Sequence, residues 1–339
     1  MSSFWSGPAR GAAPLSNDVA AARLPAADGA QRAPLHPPTA WRADLHLLGR
    51  RLKRAHRLDL YLMRLLGRPL PDRLYLQLGH LLYFGAWPDL ERPRTLNEHI
   101  MAYMLRCRDP LLRVAADKLR AREYVATRVG PRYLVPLYGA WSAADEVPVE
   151  TLPRPCVLKP TAASGMVMFL HERDAPEPAL VRAALRHWLR RDYSRFHREW
   201  AYHGARQLIL AEQLLLAPDG ALPPDYKLWV IGGNVRLIHV DRGRFTHHTR
   251  NLYRPDWTLI PARLTVENHA PDPRPRRLAQ MIEVAECLAR PFEFLRIDCY
   301  LVGDALYIGE LTNTPGAGFE RFIPASVAVE LGSYWRRRD

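Results

Sequence analysis

The sequence LRIDCYLVGDALYIGELTNTPG, residues 295–316, carries the pattern that decides the fold of this 339-residue chain. Alternation places Arg296 and Asp298 on one face of a strand, and a short turn returns the chain as a second, antiparallel strand. A three-residue turn or a bulge sets Asp298 opposite Glu310 and Arg296 opposite Thr312, whereas a strict two-residue turn puts the two carboxylates on opposite faces. We predict the first register.

The facing carboxylates of Asp298 and Glu310 need a neutralising partner. Two like charges opposed across a hairpin cost roughly 0.2–1 kcal/mol, and a divalent cation between them removes that cost. Carboxylate oxygens with an amide nearby suit Mg²⁺, which keeps several waters and bridges substrate phosphates. A surface pair neutralised by arginines explains the same two residues, so the pair by itself leaves both interpretations open.

The chain is strongly basic, with 48 basic residues, 35 acidic residues and a formal net charge of +13. A nucleic acid or an anionic surface is the usual partner of such a chain. Here 44 of the basic residues are arginines, and they are scattered among acids. This distribution indicates a preference for arginine throughout the chain and no positive field localised to one segment. We therefore expect no specific nucleic-acid partner.

Lysine is rare enough in this chain to be informative. Where arginine serves almost everywhere else, a remaining lysine suggests a site that needs a compact point charge, such as a phosphate. Lys159 ends an apolar, strand-like run before the small residues 162–165, and Lys227 shares a predicted strand face with Asp225. A strand cap and an exposed strand face explain the same lysines. The four lysines are Lys53, Lys118, Lys159 and Lys227.

Cysteine usage and hydropathy predict a cytoplasmic protein. The four cysteines form no CxxC pair, and Cys156 and Cys299 lie within apolar, strand-like runs, so we expect buried free thiols and neither metal ligands nor disulfides. No apolar stretch approaches the ~20 residues of a membrane span. Residues 1–40 are rich in Ala and Pro and lack the apolar core of a secretory signal, and we expect a disordered arm there.

The periodicity of apolar residues divides the rest of the chain. Helical spacing runs through residues 45–82 and 97–128. The basic faces of the first region allow at most peripheral contact with an anionic membrane, and a packed helical cap is the commoner arrangement. After residue 130 short strands and hairpins alternate with two helices, a pattern typical of an α+β fold with mainly antiparallel strands. We predict a helical region over 41–115 and two α+β subdomains over 116–211 and 212–335.

The R-x-D strand and the E-x-x-N-T-P-G return strand resemble the metal-binding end of the ATP-grasp ligases, such as D-alanine–D-alanine ligase and glutathione synthetase. The resemblance implies that Asp298 and Glu310 bind Mg²⁺ and that Arg296 stabilises the oxyanion and the transferring phosphoryl group. Those ligases usually place asparagine two residues after the glutamate, where this chain has Thr312 followed by Asn313. The third metal ligand is therefore Thr312 or Asn313, and we favour Asn313.

ATP-grasp enzymes clamp ATP between two α+β subdomains, with lysines on the phosphates and a loop of small residues over them. The resemblance therefore implies phosphate contacts for the lysines and Arg242, a covering loop at 162–165, and adenine contacts at Glu212 and the backbone near Leu215. The residues assigned to ATP in this way are Lys118, Lys159, Ser164, Gly165, Glu212, Leu215, Lys227 and Arg242.

A closer resemblance extends over roughly residues 90–332. Motifs in the order R-T-L-N-E, D-K with R-E-Y-V, V-L-K, R-E-W-x-Y, D-Y-K and G-E-L-T are similar to those of the TupA-like ATP-grasp family, named for a protein of teichuronopeptide biosynthesis. Two positions depart from the family: Ala162-Ala163-Ser164-Gly165 stands where members carry His-Gly-Ser-Gly, and His99 stands where they tend to have lysine.

The family resemblance implies an ATP- and Mg²⁺-dependent ligase that joins a carboxylate to an amine through an acyl-phosphate. It further implies a role in cell-surface polysaccharide biosynthesis, with an acidic glycan or its precursor among the substrates. Three alternatives stay open from the sequence. They are a kinase that phosphorylates a hydroxyl, a fold that binds nucleotide without turnover, and a non-catalytic basic protein that binds nucleic acid or an anionic membrane.

Overall fold

A computed structural model describes residues 69–172, 176–194 and 198–337 of the chain. The arm predicted over residues 1–40 and the apolar helical stripe predicted at residues 58–66 lie outside the described residues. Within the described ranges, no helix is both long enough and apolar enough to cross a membrane.

Among the described residues, four α-helices precede the first strand. The second of them has a capping box, in which Thr95 accepts from the backbone N–H of Glu98 and the Glu98 carboxylate accepts from that of Thr95 at 2.9 Å. Asp117 caps the fourth by accepting from Leu119 and Arg120. The four are α1 (Asp72–Phe84), α2 (Leu96–Arg106), α3 (Pro110–Ala116) and α4 (Lys118–Val129).

The first sheet has four antiparallel strands in the order β1-β4-β2-β3. Helix α5 covers it with Val181, Leu185 and Trp188, which pack into a core of their own with the buried strand residues. The loop after β2 is joined to the start of α4, because Lys118 N–H donates to the Thr161 carbonyl at 2.9 Å. The elements are β1 (Leu137–Trp141), β2 (Cys156–Pro160), β3 (Met168–Leu170), α5 (Pro178–Leu189) and β4 (Ile209–Gln213).

The second sheet has six antiparallel strands in the order β11-β10-β5-β6-β7-β8. Helix α6 packs on one face of it with Leu278, Met281, Ala285 and Leu288, all buried. A two-stranded pair, β9 with β12, and helix α7 complete this part. The bounds are β5 (Asp225–Ile231), β6 (Asn234–Arg242), β7 (Thr249–Tyr253), β8 (Leu259–Ile260), β9 (Arg263–Leu264), α6 (Leu278–Ala289), β10 (Phe294–Val302), β11 (Ala305–Thr312), β12 (Phe322–Ile323) and α7 (Ser326–Ser333).

The β10–β11 hairpin has the predicted register. Asp298 pairs with Glu310 and Arg296 with Thr312, although only two residues separate the strands. An irregularity after Asp298 makes this possible, because Cys299 pairs with Ile308 and Gly309 is the extra residue. A Cβ at position 309 would lie 2.6 Å from the ring of Tyr300, so glycine fits where a side chain would clash. The expected α+β class with mainly antiparallel strands is confirmed as well.

Candidate functional site

The centre of the site is the Asp298 carboxylate on β10, which is 2% exposed. Lys227 Nζ on the adjacent strand β5 donates to its Oδ2 at 2.6 Å. Arg296 donates through Nε to Oδ1 at 2.7 Å and through Nη2 to Oδ2 at 2.8 Å. Burial by itself would raise the pKa of Asp298, but the charges of Arg296 and Lys227 outweigh burial and hold it below its ordinary value.

A second buried carboxylate, Asp225, lies two residues before Lys227 on the same strand face. Lys227 Nζ also donates to Asp225, and Arg244 Nη1 donates to the same Oδ2 atom at 3.2 Å. Burial raises the pKa of Asp225 despite these cations, and the negative charge of Asp298 adds to the effect. Two acids and three cations are thus packed together on one face of the sheet.

Glu310 faces this cluster from β11 and is less tightly held than Asp298. Its side chain is 22% exposed, and Lys118 Nζ lies 3.9 Å from Oε1. Lys118 also donates to the carbonyl of Ala163 at 2.5 Å, at the start of the small-residue loop. Burial lowers the pKa of Lys118, although Glu310 favours its charged form. Lys118 therefore connects α4, the loop and the Glu310 carboxylate.

Lys159 and Glu212 meet at the centre of the first sheet. Lys159 Nζ on β2 lies 2.5 Å from Glu212 Oε2 on β4, and Arg122 Nη1 from α4 lies 2.9 Å from the other oxygen. Glu212 is 4% exposed, so the two cations compensate a carboxylate that would be costly to bury alone. Leu215 lies just beyond the end of β4 and is half-buried.

The loop between β2 and β3 is anchored at its beginning and open at its tip. Gln207 accepts from the N–H of Ala162 at 3.1 Å and donates to the carbonyl of the same residue at 2.6 Å. Ser164 and Gly165 are exposed, and Gly165 has φ 75°, a conformation that glycine adopts without strain. Both residues follow Ala163, whose carbonyl accepts from Lys118.

The structure separates Asn313 and Arg242 from the Asp298 cluster. Asn313 follows the end of β11, where its Nδ2 donates to the Leu112 carbonyl of α3 at 2.8 Å, while Thr312 Oγ1 accepts from Arg296 at 3.1 Å. Arg242 Nε donates to Asp272 at 2.6 Å, on the face of β6 opposite to the one that neighbours Lys227. The basic residue that this hairpin brings to Lys227 is Arg244, two positions later.

Sequence reasoning missed the site positions of Arg122, Arg244 and Glu199. Arg122 and Glu199 are part of the motifs shared with the family, but a motif match does not say what either side chain contacts. Arg244 lies in the loop between β6 and β7, where no periodicity predicts the direction of a side chain. The same loop reaches the first sheet, because Phe245 packs edge-to-face on Phe169 of β3, with ring centroids 4.8 Å apart.

The cluster combines cations for a polyanion with oxygen ligands for a metal ion. Among the described residues, no three His, Cys, Asp or Glu side chains come together as a metal site. Asp298 and Glu310 are two carboxylates on paired strands, directly opposite each other. Mg²⁺ is suited to such a site because it keeps water and binds phosphate oxygens. The cations that pair with Asp225, Glu212, Asp298 or Glu310 are Lys118, Arg122, Lys159, Lys227, Arg244 and Arg296.

Comparisons with known proteins define the family. The TupA-like ATPgrasp family matches residues 98–336, which is most of the chain. This chain belongs to the TupA-like ATP-grasp family and has its ATP-grasp fold. The resemblance seen in the sequence is thereby confirmed. A search of curated proteins gives no match.

Solved ATP-grasp ligases are among the similar structures. D-alanine–D-alanine ligase from Bacillus anthracis complexed with ATP is 12% identical, with a TM-score of 0.38, 60% of this chain covered and 56% of that one. L-amino acid ligase from Bacillus licheniformis is 14% identical, with a TM-score of 0.36 and coverage of 78% and 55%. The ligase PsnB complexed with a minimal precursor is 12% identical, with a TM-score of 0.35 and coverage of 60% and 53%. This chain thus spans little more than half the length of these proteins.

Proposed function

We propose that the protein is an ATP- and Mg²⁺-dependent ligase that joins a carboxylate to an amine. The observation that carries the proposal is that three of the four lysines in the chain, Lys118, Lys159 and Lys227, each pair with an acid of the site. Lys118 links the pairs, because Glu310, Lys159 and Glu212 all act on its pKa. Arginine serves nearly everywhere else, so lysine at these three positions favours binding of phosphates as point charges. Because the chain belongs to an ATP-grasp family, we expect those phosphates to be the phosphates of ATP.

The acids of the cluster fit a Mg²⁺ ion. Asp298 and Glu310 are hard oxygen donors on neighbouring strands, and Glu310 keeps part of its surface exposed. Asp298 is held ionised, which a metal ligand requires. When bound, Mg²⁺ supplies charge neutralisation for phosphate oxygens. Asn313, the third ligand expected from the sequence, is left out of the proposed metal site because its Nδ2 donates to the Leu112 carbonyl of α3.

The residues of the chain act on ATP and on the substrate carboxylate. Lys118 and Lys159 bind phosphate oxygens from the first sheet, with the backbone of the loop at 162–165 covering them. Lys227 and Arg244 neutralise the terminal phosphate as the substrate carboxylate attacks it, which yields an acyl-phosphate and ADP. Arg296 then stabilises the oxyanion that forms when an amine attacks the acyl carbon, phosphate leaves and an amide remains.

The wider role follows from the family resemblance. We propose that the carboxylate or the amine belongs to an acidic cell-surface glycan or its precursor, and that the reaction occurs in the cytoplasm, where ATP is available. Teichuronopeptide biosynthesis, after which the family is named, would require such an amide. We also propose that Glu212 and the backbone near Leu215 contact the adenine. Glu212 would then give up its ion pair with Lys159 when the nucleotide binds.

The test measures inorganic phosphate release from Mg-ATP with panels of uronic acids and amino acids, and identifies products by mass. A ligase releases phosphate and forms an amide, whereas a kinase leaves phosphate on its acceptor. Two variants of one hairpin provide the control: Arg244→Gln should lower turnover by about tenfold or more, the effect of losing one charged phosphate contact, while Arg242→Gln should not. Equal effects of the two variants would contradict the site described here, as would an unchanged rate for Asp298→Asn.

A further inference from the structure

Glu199 differs from every other acid of the site in its partners. Glu212, Glu310, Asp225 and Asp298 each have a lysine or arginine within 4 Å. In the part of the chain that the structure describes, no basic side chain pairs with Glu199, although it is only 7% exposed. Its oxygen Oε1 accepts from the Thr314 hydroxyl at 2.9 Å. A buried carboxyl without a cation is costly as an anion, so this position calls for a proton or a cationic ligand.

The surroundings of Glu199 place it beside the proposed reaction centre. Thr314 is four residues after Glu310, on the segment that leaves β11. Tyr193 and Tyr202 have ring centroids 5.0 Å apart. Burial raises the pKa of both tyrosines, and the negative charges of Glu199 and Glu310 raise it further. Tyr193 also bonds to Ser164 of the small-residue loop. Glu199 therefore stands between that loop and the end of the carboxylate hairpin.

A small cavity adjoins Glu199, with a volume of about 10 Å³ that suits one water molecule or one ammonium group. Trp200, Thr314 and Asn313 line it together with Glu199. Asn313 is 5% exposed, and its Oδ1 is a buried acceptor with no hydrogen-bond partner among the described residues. An ammonium group has three N–H donors and no acceptor, so it complements a carboxylate and an amide oxygen.

We propose, building on the ligase function proposed above, that Glu199 receives the ammonium group of the acceptor amine and takes its proton. Ionised Glu199 accepts one proton from R–NH₃⁺, and the nitrogen lone pair of R–NH₂ forms the C–N bond at the acyl-phosphate carbon. The bond from that carbon to the phosphate oxygen breaks, and phosphate leaves with the electron pair. The second proton lost by the nitrogen goes to the departing phosphate, and Glu199 returns its own proton to solvent.

The ionisation of Glu199 supports this role. Burial, aided by the negative charge of Glu310, raises the pKa of Glu199 to about 8, while the bond from Thr314 opposes the rise. A proton acceptor is most effective when its pKa lies near the working pH. Among the described residues, the other charged groups nearby are Arg296, which acts on the pKa of Tyr202, and the guanidinium groups of Arg108 and Arg113, which lie over the Trp200 ring.

The alternative is a structural role, in which neutral Glu199 only holds Thr314. A comparison of two acceptors on the same enzyme separates the alternatives. The first is the amino acid found to be ligated, whose amine is an ammonium ion near neutral pH. The second is hydroxylamine, a weak base that is already uncharged there and traps an acyl-phosphate as a hydroxamate without help from a base.

We expect Glu199→Gln to lower amide formation by about 10²–10⁴-fold and to leave hydroxamate formation within about threefold of the unmodified enzyme. The rise of amide formation as pH increases through about 8 should disappear in the variant. Thr314→Val should move that rise to higher pH, because it removes the bond that lowers the pKa of Glu199. Glu330→Gln, on α7, is the matched control for the same chemical change at a remote carboxylate.

Equal losses with both acceptors, or no loss with the amine, would overturn the role of Glu199. Absence of hydroxamate from the unmodified enzyme with every carboxylate tested would instead refute the ligase function itself. The two failures are therefore distinguishable.

Discussion

Asp298→Asn removes the negative charge on which the central ion-pair cluster depends. The side chains of Lys227 and Arg296 are 3% and 12% exposed, and both donate to this carboxylate at 2.6–2.8 Å. An asparagine would leave Asp225 to compensate Lys227 and Arg244, while Arg296 would keep only the more distant charges of Glu320 and Glu310. Breaking a buried pair from one side typically costs 3–5 kcal/mol because the remaining charge is uncompensated. We expect a loss of roughly 3 kcal/mol in the free energy of unfolding, since Asp225 can take part of the compensation.

The dependence on pH has a defined sign. The folded-state pKa of Asp298 lies below its unfolded value, so the carboxylate stabilises the fold above the unfolded pKa of ~3.9 and loses that contribution as pH falls through the folded pKa. The difference in the free energy of unfolding between Asp298→Asn and the unmodified protein should thus be largest near neutral pH and decrease only in strong acid.

Urea denaturation at pH 7 measures this difference, and Asp304→Asn provides the control. Asp304 lies in the exposed turn of the same hairpin, so the same chemical change there should stay within about 0.5 kcal/mol. A loss below ~1 kcal/mol for Asp298→Asn, or a loss equal to that of Asp304→Asn, would show that the pairs with Lys227 and Arg296 contribute no more than surface contacts. The reasoning about a buried charge cluster would then be refuted.

Three further predictions concern stability. Gly309→Ala should cost about 1–3 kcal/mol, measured by urea denaturation, because the new Cβ would meet the Tyr300 ring at 2.6 Å; an unchanged midpoint would mean that the bulge relaxes freely. Glu199→Gln should be more stable than the unmodified protein by roughly 2–5 kcal/mol above pH 8 and nearly equal to it near pH 4.5, since a raised folded-state pKa makes the cost of ionisation grow over that interval. Thermal denaturation from pH 4.5 to 9 checks this, and parallel curves would contradict it. Thr95→Ala should lose about 1 kcal/mol of stability through the capping box of α2, with protection of the first-turn amides from hydrogen exchange as the readout.

Much of the fold was predictable because strands and helices impose periods on the sequence. The antiparallel strands after residue 130 and the strand face shared by Asp225 and Lys227 on β5 are as the sequence pattern predicted them. The β10–β11 register was predictable in the same way, since only a bulge or a longer turn brings Asp298 to face Glu310. The ordered motifs identified the family, because several short matches in a fixed order are far more specific than any single one. The roles of the site residues toward ATP and Mg²⁺ stay predictions.

Only the tertiary structure decided which residues complete the cluster. The sequence offered Arg242 because it ends a strand, yet strand alternation turns it toward Asp272, and the loop beyond it folds back to bring Arg244 to Asp225. Glu199 carries no periodic signal. Its burial, with no basic partner among the residues that the structure describes, depends on α2, α3 and the segment after β11 arriving from distant parts of the chain. Local periodicity acts over a few residues and therefore determines strands, helices and their faces. The compensation of buried charges is a sum over neighbours in space, so it exists only once the chain has folded.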